Sequence, residues 1–111
     1  MHENVLGRAK RVLVVGTVAD SAQISPEAAL APDGMLIVME EDAVRAAAAR
    51  RRLSSDRSAR RTVIGGDPRR MLHKLAGPFD VIFCNAAYLS LRPMLEKLLA
   101  ADGVLITNGE P

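Results

Sequence analysis

The sequence predicts an α/β domain built on a five-stranded, mainly parallel sheet with helices on both faces. Three observations carry that expectation. Five short apolar segments recur along the chain, each bounded by turn signals. Their apolar residues run on continuously instead of alternating with polar ones, which suits strands buried on both faces of a parallel sheet. Helical segments lie between them, and alternating strand and helix is the pattern of parallel folds with right-handed crossovers.

Each element has its own signal. The first strand is VLVV at 12–15, closed by Gly16. Ser25-Pro26-Glu27 then marks a helix that starts late, with Pro26 in its first turn. GMLIVMEE at 34–41 is the second strand, running to an acidic end. AVRAAAARRRL at 43–53 has high helix propensity, follows Asp42 as N-cap, and places Ala43, Val44, Ala47 and Ala48 on one face. RTVIGGD at 61–67 is a short third strand ending in glycines. Asp67 caps the next helix with Pro68 in its first turn; Met71, Leu72 and Leu75 line one face and Gly77 ends it. FDVIFCNA at 79–86 is the fourth strand. Pro93 opens the last helix, where Met94, Leu95, Leu98 and Leu99 repeat at helical spacing, and GVLITNGE at 103–110 is the fifth strand.

Composition narrows the function. A chain of 111 residues makes one domain with a real core. Aromatic residues are only 3%, which argues against stacked bases or sugars as ligands of single-strand or RNA-reading type. Cys84 is the lone cysteine, so no internal disulfide forms and a reducing cytoplasm is expected. No apolar run approaches a membrane span, and the N-terminal residues lack an apolar signal core. Charge is uneven: ten Lys and Arg lie between Arg45 and Lys74, against Asp56 and Asp67. Such a stretch can attract phosphate backbones, but a solvated arginine-rich surface is the favoured reading, so nucleic acid stands as a possible, not a favoured, partner.

Parallel sheets bind ligands at the carboxyl ends of their strands. Those ends are Gly16 to Asp20, Glu40 to Asp42, Gly66-Asp67, and Cys84 to Ala87. In this order and spacing the chain resembles the class I S-adenosylmethionine-dependent methyltransferases, most closely the bacterial catechol-type O-methyltransferases. The best stretches are GMLIVMEEDAVRAAAARRRL, GGDPRRMLHKLAGPFDVIFCNA and LLAADGVLITNG, and the likeness runs from Val12 to Glu110. The resemblance implies strand order 3-2-1-4-5 in a Rossmann-like core. It also implies a cofactor site formed by Gly16, Thr17, Glu40, Glu41, Gly66, Asp67 and Asn85. Glu40 would accept the cofactor's ribose hydroxyls, as a carboxylate with two acceptor oxygens can. Gly66-Asp67 would lie near the adenine, and the Phe79-Asp80 opening of the fourth strand matches as well. Without the resemblance, Glu40 reads equally as a solvated acid, Asp67 as a helix cap and Asp80 as a residue that pins a turn.

The chain departs from that family at several positions. Val14 stands where the first strand usually carries an acid, and Val18 and Asp20 stand where the turn carries further glycines. A β-branched Val18 is unsuited to the backbone angles that glycine supplies, and Asp20 sets negative charge beside the place of the methionine carboxylate. Asn85, Ala87 and Asn108 replace the acids of the family's divalent-cation site. Neutral amides supply no charge to offset dehydration of a hard cation, so no metal is expected. The sequence also stops after its fifth strand and lacks the family's added helices and closing strands, so residues 1–111 read as a single truncated domain.

The leading expectation is an S-adenosylmethionine-dependent O-methyltransferase-like domain with a weak or vestigial cofactor site. The alternative is a non-catalytic association or regulatory domain on the same fold. A phosphorelay receiver fits less well, since Val15-Gly16 and Asn85 stand where it needs acids. His2 and His73 are isolated, and Cys84 reads as a small core residue. The fifth strand, left at a sheet edge, is the expected contact for a homodimer or a partner subunit.

Overall fold

The computed structural model describes residues 7–16, 25–53 and 60–108. Among these residues five strands and four α-helices alternate: β1 (Ala9–Val15), α1 (Pro26–Ala29), β2 (Leu30–Glu40), α2 (Ala43–Leu53), β3 (Arg60–Gly65), α3 (Pro68–Met71), β4 (Phe79–Asn85), α4 (Arg92–Leu98) and β5 (Leu99–Asn108). Every strand pair is parallel and the order is β3-β2-β1-β4-β5, as expected. No helix among the described residues is long and apolar enough to cross a membrane.

The central strands explain the fold. β1 lies between β2 and β4, with Val12 opposite both Leu36 and Val81, and Val15 opposite both Met39 and Cys84. Side chains alternate across the sheet, so each central strand must be apolar on both faces. Val12, Val14, Leu36, Val38, Val81 and Phe83 form one core layer, closed by Ala29 of α1 and Leu53 of α2. Leu13, Val15, Met39, Ile82 and Cys84 form the other, closed by Leu72, Tyr88 and Leu95. Each large aliphatic side chain sealed in these layers contributes about 1.5–3 kcal/mol.

Polar contacts fix the amino ends of the strands. Asp80 Oδ2 accepts the backbone N–H groups of Lys10 (2.8 Å) and Arg11 (3.1 Å), joining the start of β4 to β1. Arg11 also donates to the carbonyls of Pro78 (2.9 Å) and Ala76 (2.7 Å) and lies over Phe79. Asp80 thus does structural work at the end of the sheet opposite the expected site.

Three sequence expectations need correction. In α2 the buried residues are Ala46, Ala49 and Leu53, and Val44 is 76% exposed. An alanine-rich helix carries little amphipathic contrast, so Leu53, the one large residue that reaches the core layer, sets its rotation. Leu99 belongs to β5, not to the last helix: it pairs with Phe79, and the register then slips so that Val81 meets Val104. β2 also begins earlier than expected, because a slip between Ala9 and Arg11 lets Leu30 join the sheet ahead of Gly34. Gly34 has no room for a side chain, since a Cβ there would stand 2.8 Å from the Ala9 carbonyl oxygen.

Candidate functional site

At the carboxyl end of the sheet the chain turns away from β1, β2 and β4 in quick succession. Gly16 leaves β1 with φ +73°, a conformation that glycine adopts without strain. Its N–H donates to the Met39 carbonyl at 2.8 Å, and the Gly66 N–H donates to the Glu40 carbonyl at 3.1 Å. These bonds hold the ends of β1 and β3 against the end of β2. Between them opens a cleft of about 360 Å³, lined by Gly16, Glu40, Glu41, Arg45, Asn85, Ala87 and Tyr88.

Glu40 is the buried acid of this cleft, only 1% exposed. A carboxylate is tolerated there because donors meet it. The Asp42 N–H donates to Oε2 at 2.8 Å, and Arg45 Nε lies 3.5 Å from Oε1. Asp42 in turn caps α2, accepting the Arg45 N–H at 2.8 Å.

Glu41 accepts the Tyr88 hydroxyl and faces Arg69 Nη1 at 3.6 Å. Tyr88 is itself only 6% exposed. Burial first, then donation to Glu41, hold its hydroxyl well above the usual phenol range. The Arg69 guanidinium lies 5.0 Å from the centre of its ring and pairs with Asp67 Oδ1 at 3.2 Å. Asp67 also accepts the Arg69 N–H at 2.9 Å and caps α3.

Among the residues expected from sequence, Gly16, Glu40, Glu41 and Asn85 come together at the cleft. Gly66 and Asp67 stand beside it, outside its lining, with Asp67 linked to Glu41 through Arg69. Thr17, Val18 and Asp20 lie outside the described residues. The sequence reading missed Tyr88, Arg45 and Arg69. Tyr88 had a signal, being the single tyrosine of an aromatic-poor chain, three residues past the end of β4.

Several arginines of the basic stretch are engaged inside the fold. Arg45 meets Glu40, Arg52 meets Glu27 at 3.3 Å, Arg69 meets Asp67, and Arg50 reaches the Val63 carbonyl at 3.5 Å on the edge strand.

Fold and cleft together define a Rossmann-like α/β domain with a polar crevice at the switch point, where the strand order reverses between β1 and β4. Comparison with family models, with curated proteins and with solved structures finds no match for the chain. The functional reading therefore rests on the cleft's own chemistry.

That chemistry fits an S-adenosylmethionine-type cofactor only in part. A carboxylate offers about four lone-pair positions, and Glu40 borders the cleft where a sugar diol would approach. Over Gly16 the fit fails: a Cβ built there would stand 2.8 Å from Tyr88 Cε2, so the ring already fills that space. A hard cation is fitted no better on the β4 side. The Asn85 side-chain oxygen accepts the Ala87 N–H at 2.9 Å and caps the 3-10 turn that follows.

Proposed function

We propose that the chain is an S-adenosylmethionine-dependent O-methyltransferase-like domain whose cofactor site survives in weakened form. The observation that carries this reading is Glu40, a buried acid at the carboxyl end of β2, bordering the switch-point cleft beside Gly16. Its carboxylate is suited to receive the paired hydroxyls of a ribose. The chain's own donors already engage it, so a ligand gains fewer hydrogen bonds there. Each lost bond is worth about 0.5–1.5 kcal/mol net, and several together weaken binding by factors of ten.

Among the described residues, the two polar groups that line the cleft on the β4 side are already engaged. The Tyr88 hydroxyl is held protonated by burial and by Glu41, and the Asn85 oxygen serves as a cap. This favours the second reading, a non-catalytic association or regulatory domain that keeps the fold. Calorimetric titration with S-adenosylmethionine and its demethylated product tests the first reading. Saturable binding weaker than about 10 µM, equivalent to roughly 7 kcal/mol, is expected. Tight stoichiometric binding would contradict the weakened site, and no binding at millimolar ligand would leave the second reading.

A further inference from the structure

We propose that the cleft binds a compact nucleoside more tightly than one that carries an amino-acid tail, and that Tyr88 sets this preference. The inference rests on the nucleoside-site reading above and narrows it. β1 lies between β2 and β4, so any ligand reaching from Glu40 towards Asn85 must cross Gly16. A glycine with positive φ ordinarily leaves its Cα face open for close approach. Here that face is covered: a Cβ on Gly16 would lie 2.8 Å from Cε2 and 3.1 Å from Cδ2 of Tyr88.

The ring is held from several sides. It belongs to the core layer that contains Leu13, Val15 and Leu95. Its hydroxyl donates to Glu41, and the Arg69 guanidinium sits over it. Asp67 and Glu41 hold Arg69 in turn, at 3.2 and 3.6 Å. Moving Tyr88 therefore breaks apolar packing, a charge-assisted hydrogen bond and a cation–π contact together.

The whole cleft, from Glu40 and Arg45 to Asn85 and Ala87, is about 360 Å³, and Tyr88 lines it beside Gly16. That is near the lower end of the roughly 300–1,000 Å³ of small-molecule pockets. Two carboxylates, Glu40 and Glu41, face one guanidinium, Arg45. Each carboxylate is paired with an arginine, Glu40 with Arg45 and Glu41 with Arg69, so the wall offers acceptors for hydroxyls while its cations are already engaged. The ligand that matches is an uncharged nucleoside with its vicinal hydroxyls towards Glu40.

The test is calorimetric titration of the full chain with adenosine, S-adenosylhomocysteine and adenosine 5′-monophosphate. Wild type, Tyr88→Phe and Tyr88→Ala are compared. Adenosine should bind wild type at least about tenfold more tightly than either of the others. Tyr88→Phe keeps the ring and should keep the preference over S-adenosylhomocysteine. Tyr88→Ala should narrow that preference to within about threefold. Equal or tighter binding of S-adenosylhomocysteine by wild type would overturn the preference while leaving the nucleoside site standing. A folded Tyr88→Ala with an unchanged preference would also overturn it. Should Tyr88→Ala fail to fold by circular dichroism, the wild-type preference alone decides. Binding of none of these ligands by wild type or by Tyr88→Ala would overturn both readings.

Discussion

Glu40 accepts the backbone N–H of Asp42 at 2.8 Å, so the acid that borders the cleft also shapes the entry to α2. Asp42 then caps the helix through the Arg45 N–H. Fold and candidate site thus share one carboxylate. Truncating it leaves a part-buried donor without its acceptor, which costs about 1–3 kcal/mol. Glu40→Ala is therefore expected to lower the unfolding free energy by that amount, and Glu40→Gln, which keeps an acceptor, by less. Chemical denaturation of both variants checks this, and equal stability of Glu40→Ala and wild type would sink it.

A second expectation concerns alkaline pH. Burial pushes the Cys84 thiol up to about 11, from an ordinary value of 9.0. A raised folded-state pKa means stability that is fully present below the unfolded value and lost as pH rises through the folded one. The window is therefore about pH 9 to 11. The full loss is on the order of 3 kcal/mol, since each pKa unit is worth about 1.4 kcal/mol. Tyr88, also shifted upward, adds to the loss in the same direction. Melting curves of wild type and Cys84→Ala should converge in relative stability as pH rises through this range. Parallel curves throughout would show that the thiol is not held protonated.

Much of the fold was legible because the apolar runs at 12–15, 35–39 and 81–84 suit strands buried on both faces of a parallel sheet. The caps were legible too, since Ser25, Asp42 and Asp67 are short polar residues placed just before helices, and each accepts an N–H of its helix. The rotation of α2 was not, because alanine on every side leaves the choice to tertiary contact with Leu53. Nor was the assignment of Leu99, whose helical spacing competes with pairing to Phe79 across the sheet. At the cleft, strand ends gave Gly16, Glu40, Glu41 and Asn85. Tyr88 and Arg69 enter through contacts between segments far apart in sequence, which no local pattern encodes.

Divalent cations supply a third check. Asn85 directs its oxygen to the Ala87 N–H, and a ligand that binds only the folded state must raise its stability. Magnesium or calcium at millimolar concentration is expected to leave the melting temperature unchanged. A saturable, chelator-reversible rise that disappears in Asn85→Ala would show that the amide helps to hold a cation.

We further expect association through β5. Among the described residues this strand pairs with β4 alone, leaving its other edge without a strand. An edge of that kind offers unpaired N–H and C=O groups to a second chain, most simply through a two-fold axis. Sedimentation across a concentration series tests it. A strict monomer up to about 100 µM would remove the homodimer, and a dimer untouched by Ile106→Lys would place the interface elsewhere.

The central claim is that Glu40 holds a ligand in the cleft at the ends of β1, β2 and β4. Tyr88 is the single tyrosine of a chain without tryptophan, so intrinsic tyrosine fluorescence reports on this cleft alone. Titration with adenosine should give a saturable change in wild type. In Glu40→Gln the curve should shift to at least about tenfold higher concentration, the equivalent of one strong hydrogen bond. An identical curve in a stably folded Glu40→Gln, or no saturable change in wild type, would contradict the account.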